Sequence, residues 1–162
     1  MALSMALGQC QSPPPVKNFD REKFSETWRI HTVVGNPILG IIPPCYSATY
    51  AGSPKYTSMD VSYRDGDQYK NIPAYEVSED HGALVIHIHG KDVKMVILDT
   101  DYTTFYTAYY CTEVDATHRT IQVSLRSRTP NEELFKEQIN KAHRLVDVIG
   151  PRYIADHRNC TN

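Results

Sequence analysis

The segment ILDTDYTTFYTAYYC, residues Ile97 to Cys111, carries five aromatic rings and ends on a cysteine. Phe105, Tyr109 and Cys111 alternate with Tyr106, Ala108 and Tyr110. Successive side chains of an extended strand point to opposite faces, so this strand has two usable faces, one of which delivers a thiol at its end.

Working outward, Gly and Pro punctuation divides the middle of the chain into eight short strands, roughly 24–34, 45–51, 56–64, 68–77, 82–89, 93–99, 103–112 and 119–128. The turns Ala51-Gly52-Ser53-Pro54, Arg64-Asp65-Gly66-Asp67, Asp80-His81-Gly82 and Gly90-Lys91-Asp92 are short and rich in residues that tolerate positive φ, which makes neighbouring strands antiparallel. Many short strands at even spacing predict an all-β sandwich or barrel. The first connection differs: Gly35 to Pro44, GNPILGIIPP, is long and apolar for a hairpin loop, and it predicts either a cover over a barrel mouth or a loop packed on the outside. After the strands, Thr129 is a helix cap, Pro130 suits the first helical position and Glu132 completes a capping box. Leu134, Phe135, Ile139, Ala142, Leu145, Val146 and Ile149 follow at helical spacing, with Gly150-Pro151 as the stop. One apolar stripe gives one docking surface, and Ile121, Val123 and Leu125 on the last strand offer the matching face.

The 162 residues make one domain, expected to span 10–162, with MALSMALG and the rest of 1–9 read as a signal-peptide remnant or an expression tail. No apolar run approaches the roughly 20 residues that cross a bilayer. A net charge of −2 with scattered Lys and Arg gives no footprint for nucleic acid. The four cysteines, Cys10, Cys45, Cys111 and Cys160, lack metal spacing, and an even count favours two disulfides in an oxidising, secreted setting. Asn159-Cys160-Thr161 is a glycosylation sequon at Asn159. His87 and His89 supply two ligands of one strand face but no third, so no metal site is assigned. No nucleophile and base constellation is legible either, and the chain is read as a non-enzyme.

The order of elements and three local signatures resemble the lipocalins, secreted eight-stranded antiparallel up-and-down β-barrels with one C-terminal α-helix packed outside. The likeness covers about Asn18 to Cys160. Asn18-Phe19-Asp20 through Thr27-Trp28 resembles the family's first motif, Asp99-Thr100-Asp101-Tyr102 the second and Ser127-Arg128-Thr129 the third. Glu26 departs from the pattern, standing where glycine is usual. Within the family the likeness is to arthropod bilin-binding proteins and insecticyanins. It implies that Trp28 forms the barrel floor under Arg128, and that Cys10 pairs with Cys111 and Cys45 with Cys160.

Inward parity taken from the same resemblance gives a lining of Tyr46, Tyr50, Ser58, Asp60, Tyr69, Asn71, His87, His89, Tyr106, Tyr110, Gln122 and Arg126 as the ligand-binding set. On the third and fifth strands the alternate faces, Met59, Val61 and Tyr63 or Leu84, Ile86 and Ile88, are the more apolar, and a one-residue slip exchanges the two sets. The expected function is carriage of a small hydrophobic or conjugated ligand, with a biliverdin-type bilin first: flat rings for the pyrroles, Asp60 for their N–H groups, and Arg126, His87 and His89 for the propionates. The alternatives are a salivary-type scavenger of a biogenic amine held by Asp60 or of a fatty acid or eicosanoid held by Arg126, and an interaction protein docking a protein or membrane partner through Ile38 to Pro44; a protein partner or a homo-oligomer is compatible with each.

Overall fold

Short turns force sequence neighbours to become spatial neighbours. In the computed structural model, which describes residues 10–80, 82–112 and 118–162, a short helix α1 (Arg21–Phe24) leads into eight strands that each pair antiparallel with the next. They are β1 (Glu26–Gly35), β2 (Ser47–Ser53), β3 (Tyr56–Asp65), β4 (Gln68–Asp80), β5 (Ala83–Ile88), β6 (Lys91–Thr100), β7 (Phe105–Thr112) and β8 (Arg119–Leu125). Helix α2 (Glu132–His143) and a three-residue strand β9 (Arg152–Ile154) follow. The expected leader, 1–9, and His81 of one expected turn lie outside the described residues.

β1 closes the barrel by pairing with β8 along Arg29–Gly35 and with β2 along Glu26–Arg29. Where β2 leaves off, β9 pairs with Thr32 to Val34, so a sheet edge that would otherwise be bare is covered. Neither α1 nor β9 was legible from periodicity, since each is too short to repeat a pattern. A bulge between Ile30 and Thr32 changes the parity of β1. Trp28 and Ile30 face the interior and past the bulge Val33 does so too, while His31 lies against the ring of Phe135, on the helix outside the sheet.

The floor is built on Trp28, which is fully buried and donates its indole N–H to the Phe24 carbonyl at 2.9 Å. Arg126, not Arg128, covers it, with the guanidinium 3.7 Å from the ring centroid. The β1/β8 register explains the correction: Leu125 pairs with Arg29, which brings the next residue opposite Trp28. Arg128 instead donates to the backbone oxygen of Asn162 at 2.9 and 3.2 Å. Beside the floor, the Asp101 carboxylate accepts the N–H groups of Thr103, Thr104 and Phe105 and fixes the β6–β7 turn.

Helix α2 starts later and stops sooner than its sequence pattern predicts. Asn131 is the N-cap, accepting from the Leu134 N–H at 3.1 Å, and the helix ends at His143. Beyond it Val146 and Val148 are buried while Leu145 and Ile149 are exposed, the parity of an extended chain. Phe135 packs on Val123 and Leu125, and Ala142, Val146 and Val148 on Val96, Leu98, Tyr109 and Ile121. The disulfides join Cys10 to Cys111 and Cys45 to Cys160, as the resemblance implied.

Glu26, in the position where the family pattern has glycine, has φ of 85°, a conformation in which a side chain is strained. Glu26→Gly is expected to raise stability by about 1 kcal/mol, the relief of left-handed strain less the extra chain entropy of glycine. In a thermal melt that is an increase of about 2–4 °C, and Glu26→Ala should not reproduce it.

His31 and His157 stack at 4.5 Å, almost fully buried, and each Nε2 meets a backbone oxygen at 2.8 Å, Ser127 for His31 and Ile30 for His157. Burial first, then His157 and Arg29, pulls the His31 pKa to about 4, against the opposing Ser127 carbonyl. Burial likewise lowers that of His157. The unfolded chain therefore takes up protons that the folded chain refuses, so this contribution is complete above about pH 6.5 and declines as pH falls toward 4. Urea unfolding at pH 7.5, 5.5 and 4.5 is expected to follow that decline, and His31→Gln to make it shallower.

Candidate functional site

The inward faces of the strands set the chemistry of the interior. Met59 and Val61 of β3, Ile86 and Ile88 of β5 and Val93 of β6 face a cavity of about 40 Å³, together with Ile30 and Ala48. The loop of residues 36–44 covers its mouth: Ile38 and Leu39 line the cavity, Ile42 packs against the same core, and Ile41 is 64% exposed. Of its two predicted placements, the cover is the one adopted.

Among the described residues, polar groups enter from three sides: Tyr46, just before β2, and Tyr50 of β2, Tyr106 and Tyr110 of β7, and Gln122 of β8 line the cavity. Gln122 hydrogen-bonds the Tyr46 phenol. The hydroxyls of Tyr50, Tyr106 and Tyr110 form a triangle with sides of 3.1, 3.1 and 3.5 Å. Burial raises the pKa of Tyr46, and raises those of Tyr50 and Tyr110 well above the ordinary phenol value, so all three stay protonated. Two more hydroxyls on the inward-alternating set of β8, those of Thr120 and Ser124, are buried without a hydrogen-bond partner among the described residues.

The overall chain fold is matched among solved structures. Insecticyanin from the tobacco hornworm Manduca sexta superposes with a TM-score of 0.70 at 18% identity, covering 94% of this chain and 88% of that one. The chain has the lipocalin fold. Cockroach allergen Per a 4 gives a TM-score of 0.73 at 12% identity over 94% and 98% of the two chains. Lobster apocrustacyanin A1 gives 0.68 at 17% over 85% and 79%. No family model matches the sequence, and no curated protein sequence does.

Within this lipocalin barrel the residues expected to bind ligand divide by strand. Tyr46, Tyr50, Tyr106, Tyr110 and Gln122 come together in the cavity lining. Ser58 and Asp60 lie on the outer face of β3, because the buried set is Thr57, Met59 and Val61. His87 lies outside β5, its Nδ1 2.7 Å from Asp92 Oδ1 and its ring 5.3 Å from that of Tyr75, while Leu84, Ile86 and Ile88 face in. His89 is exposed in the next turn with φ of 53°. Asn71 is exposed, and the Tyr69 hydroxyl reaches the Cys45–Cys160 bridge and accepts from the Thr161 N–H. Arg126 belongs to the floor.

The parity carried over from the resemblance is therefore wrong on β3, β4 and β5; on β3 and β5 the more apolar of the two faces is the one that turns inward. The cavity residues it missed, Met59, Val61, Ile86 and Ile88, had a signal in the sequence: on their strands they form the set whose burial gains the most hydrophobic free energy. Asp60→Ala, His87→Ala and His89→Ala are accordingly expected to leave the affinity of a barrel ligand within about twofold of the parent, less than 0.5 kcal/mol. Isothermal titration of the three variants with one ligand checks this, and a tenfold loss in any of them contradicts the outward placement.

Proposed function

We propose that the protein is a secreted, noncatalytic carrier that encloses a small hydrophobic ligand, uncharged at the end that enters the barrel. The lining of the cavity carries this reading: aliphatic side chains, one thioether, four phenols and one carboxamide, with no carboxylate, ammonium, guanidinium or imidazole among the described residues. Several kcal/mol would be needed to bury an ion there without a counter-charge. The amine and fatty-acid alternatives relied on Asp60 and Arg126 as counter-charges, and the lining contains neither. Two disulfides support the extracellular part of the reading.

Ligand pockets usually enclose about 300–1,000 Å³, against about 40 Å³ here. Uptake thus requires the 36–44 loop to withdraw and the aliphatic side chains beneath it to change rotamer. A biliverdin-type pigment, the ligand implied by the sequence resemblance, fits this reading in one arrangement: pyrroles against the tyrosine rings, propionates left in solvent at the mouth, and the loop displaced.

Titration with the apolar fluorescent probe N-phenyl-1-naphthylamine is expected to give enhanced, blue-shifted emission. Ala48→Trp, which fills the cavity, is expected to abolish it with the far-ultraviolet circular dichroism unchanged. Emission retained in that variant would put the probe outside the barrel and remove the reading. The absorption spectrum of protein from its natural source tests the pigment: red bands mean a bilin, and a colourless protein counts against one.

A further inference from the structure

The phenol triangle narrows the class of ligand. Three hydroxyls carry three protons and six lone pairs, and closing a triangle uses every proton and half of the lone pairs. The arrangement satisfies its own donors, which is what makes it tolerable in a lining otherwise almost wholly aliphatic. Its three sides are not equal. Tyr106 lies 3.1 Å from both partners, whereas Tyr50 and Tyr110 are 3.5 Å apart, at the limit of a hydrogen bond. Besides these phenols, Tyr50 Oη has the Met95 sulfur at 3.9 Å, a weak acceptor. One phenolic proton is therefore loosely held and passes to any better acceptor that enters, at the cost of the weakest side of the triangle only.

We infer that this triangle is the polar anchor of the barrel's ligand, and that the ligand reaches it with one uncharged oxygen acceptor, a ketone, aldehyde or ester carbonyl, on an otherwise hydrophobic body. The inference rests on the carrier reading and adds the ligand's functional group. A neutral carbonyl is satisfied by a single donor. A carboxylate, losing far more hydration, requires several donors and would have to break the two 3.1 Å sides as well. An ammonium finds the lone pairs of the phenols and of the Gln122 carboxamide but no opposing charge among the described lining residues.

The test compares 2-decanone, decanoate and decylammonium, equal in chain length, by calorimetry and by displacement of N-phenyl-1-naphthylamine at pH 7.4. The ketone is expected to bind at least tenfold more tightly than either ion. The infrared carbonyl stretch of bound 2-decanone should lie below its value in hexane. In a Tyr50→Phe, Tyr106→Phe, Tyr110→Phe triple variant, which keeps the three rings and removes all three oxygens, the stretch should return to the hexane value and ketone affinity fall about five- to tenfold, with probe uptake retained. Decanoate or decylammonium binding as tightly as the ketone, or an unshifted stretch in the parent protein, overturns the anchor. If the probe binds and the ketone and both ions displace it equally, the carrier stands and the anchor falls. If the probe and all three compounds fail to bind, the carrier reading falls and the anchor with it.

Discussion

An arginine bound to backbone, not to a carboxylate, closes one end of this barrel. Arg126 lies over the Trp28 indole and donates to the carbonyls of Ser25, Thr27 and Tyr102 at 2.8 to 3.2 Å. These acceptors come from the end of α1, the start of β1 and the β6–β7 turn, three segments that meet where the sheet runs out of partners. A cation on an indole contributes about 0.5–2 kcal/mol, but the larger consequence is geometric. With Phe24 packed 5.4 Å from Trp28 and 4.9 Å from Tyr106, aromatic rings fill the lower barrel, and any space for a ligand is confined to the half beneath the 36–44 loop.

The two ends are held by different physics. Dispersion and the Arg126 clasp hold the floor, whereas the mouth is held at the trailing end of its cover. There Cys45 is bonded to Cys160, donates its N–H to Asp156 at 2.9 Å, and has a neighbour in the Asn162 carboxamide, which donates to the Cys45 carbonyl at 2.7 Å. β9 and the paired histidines fasten the same C-terminal segment to β1. The cover is thus free to move only ahead of Cys45, where Ile38 and Leu39 dip into the barrel.

Much of the fold was legible because alternation is a local property. Tyr106, Ala108 and Tyr110 face in and Tyr109 and Cys111 face out: the alternation separates the two sets, and the resemblance supplied which of them is inward. Three features were not legible, each because it depends on a neighbour. The bulge that turns Val33 inward is set by pairing with β8. The two arginines of Arg126-Ser127-Arg128 look alike in sequence, and only register decides which meets Trp28. The apolar run after Ala142 satisfies a helical period, yet Val146 and Val148 are buried by an extended chain, because two residues of like parity fit helical and strand spacing almost equally over so short a span. For the site, the tyrosines and Gln122 were found where both faces of a strand are distinct in kind. Asp60 and His87 were misplaced where a family's parity was preferred to the plain preference of hydrophobic side chains for the interior.

The disulfides impose an order in time on a chain made from its N-terminus. Cys10 and Cys111 are separated by 101 residues and Cys45 and Cys160 by 115, so both early thiols emerge long before either partner. At about 5–20 residues per second, Cys10 and Cys45 are exposed together for several seconds with only each other to oxidise. Neither native bridge can form before β7 has been made, and the second must await the C-terminal segment that also supplies β9. The bridge to Cys160 is therefore the later of the two to become possible, after every strand of the barrel has been made, and any earlier pairing of Cys10 with Cys45 would have to be undone by thiol–disulfide exchange.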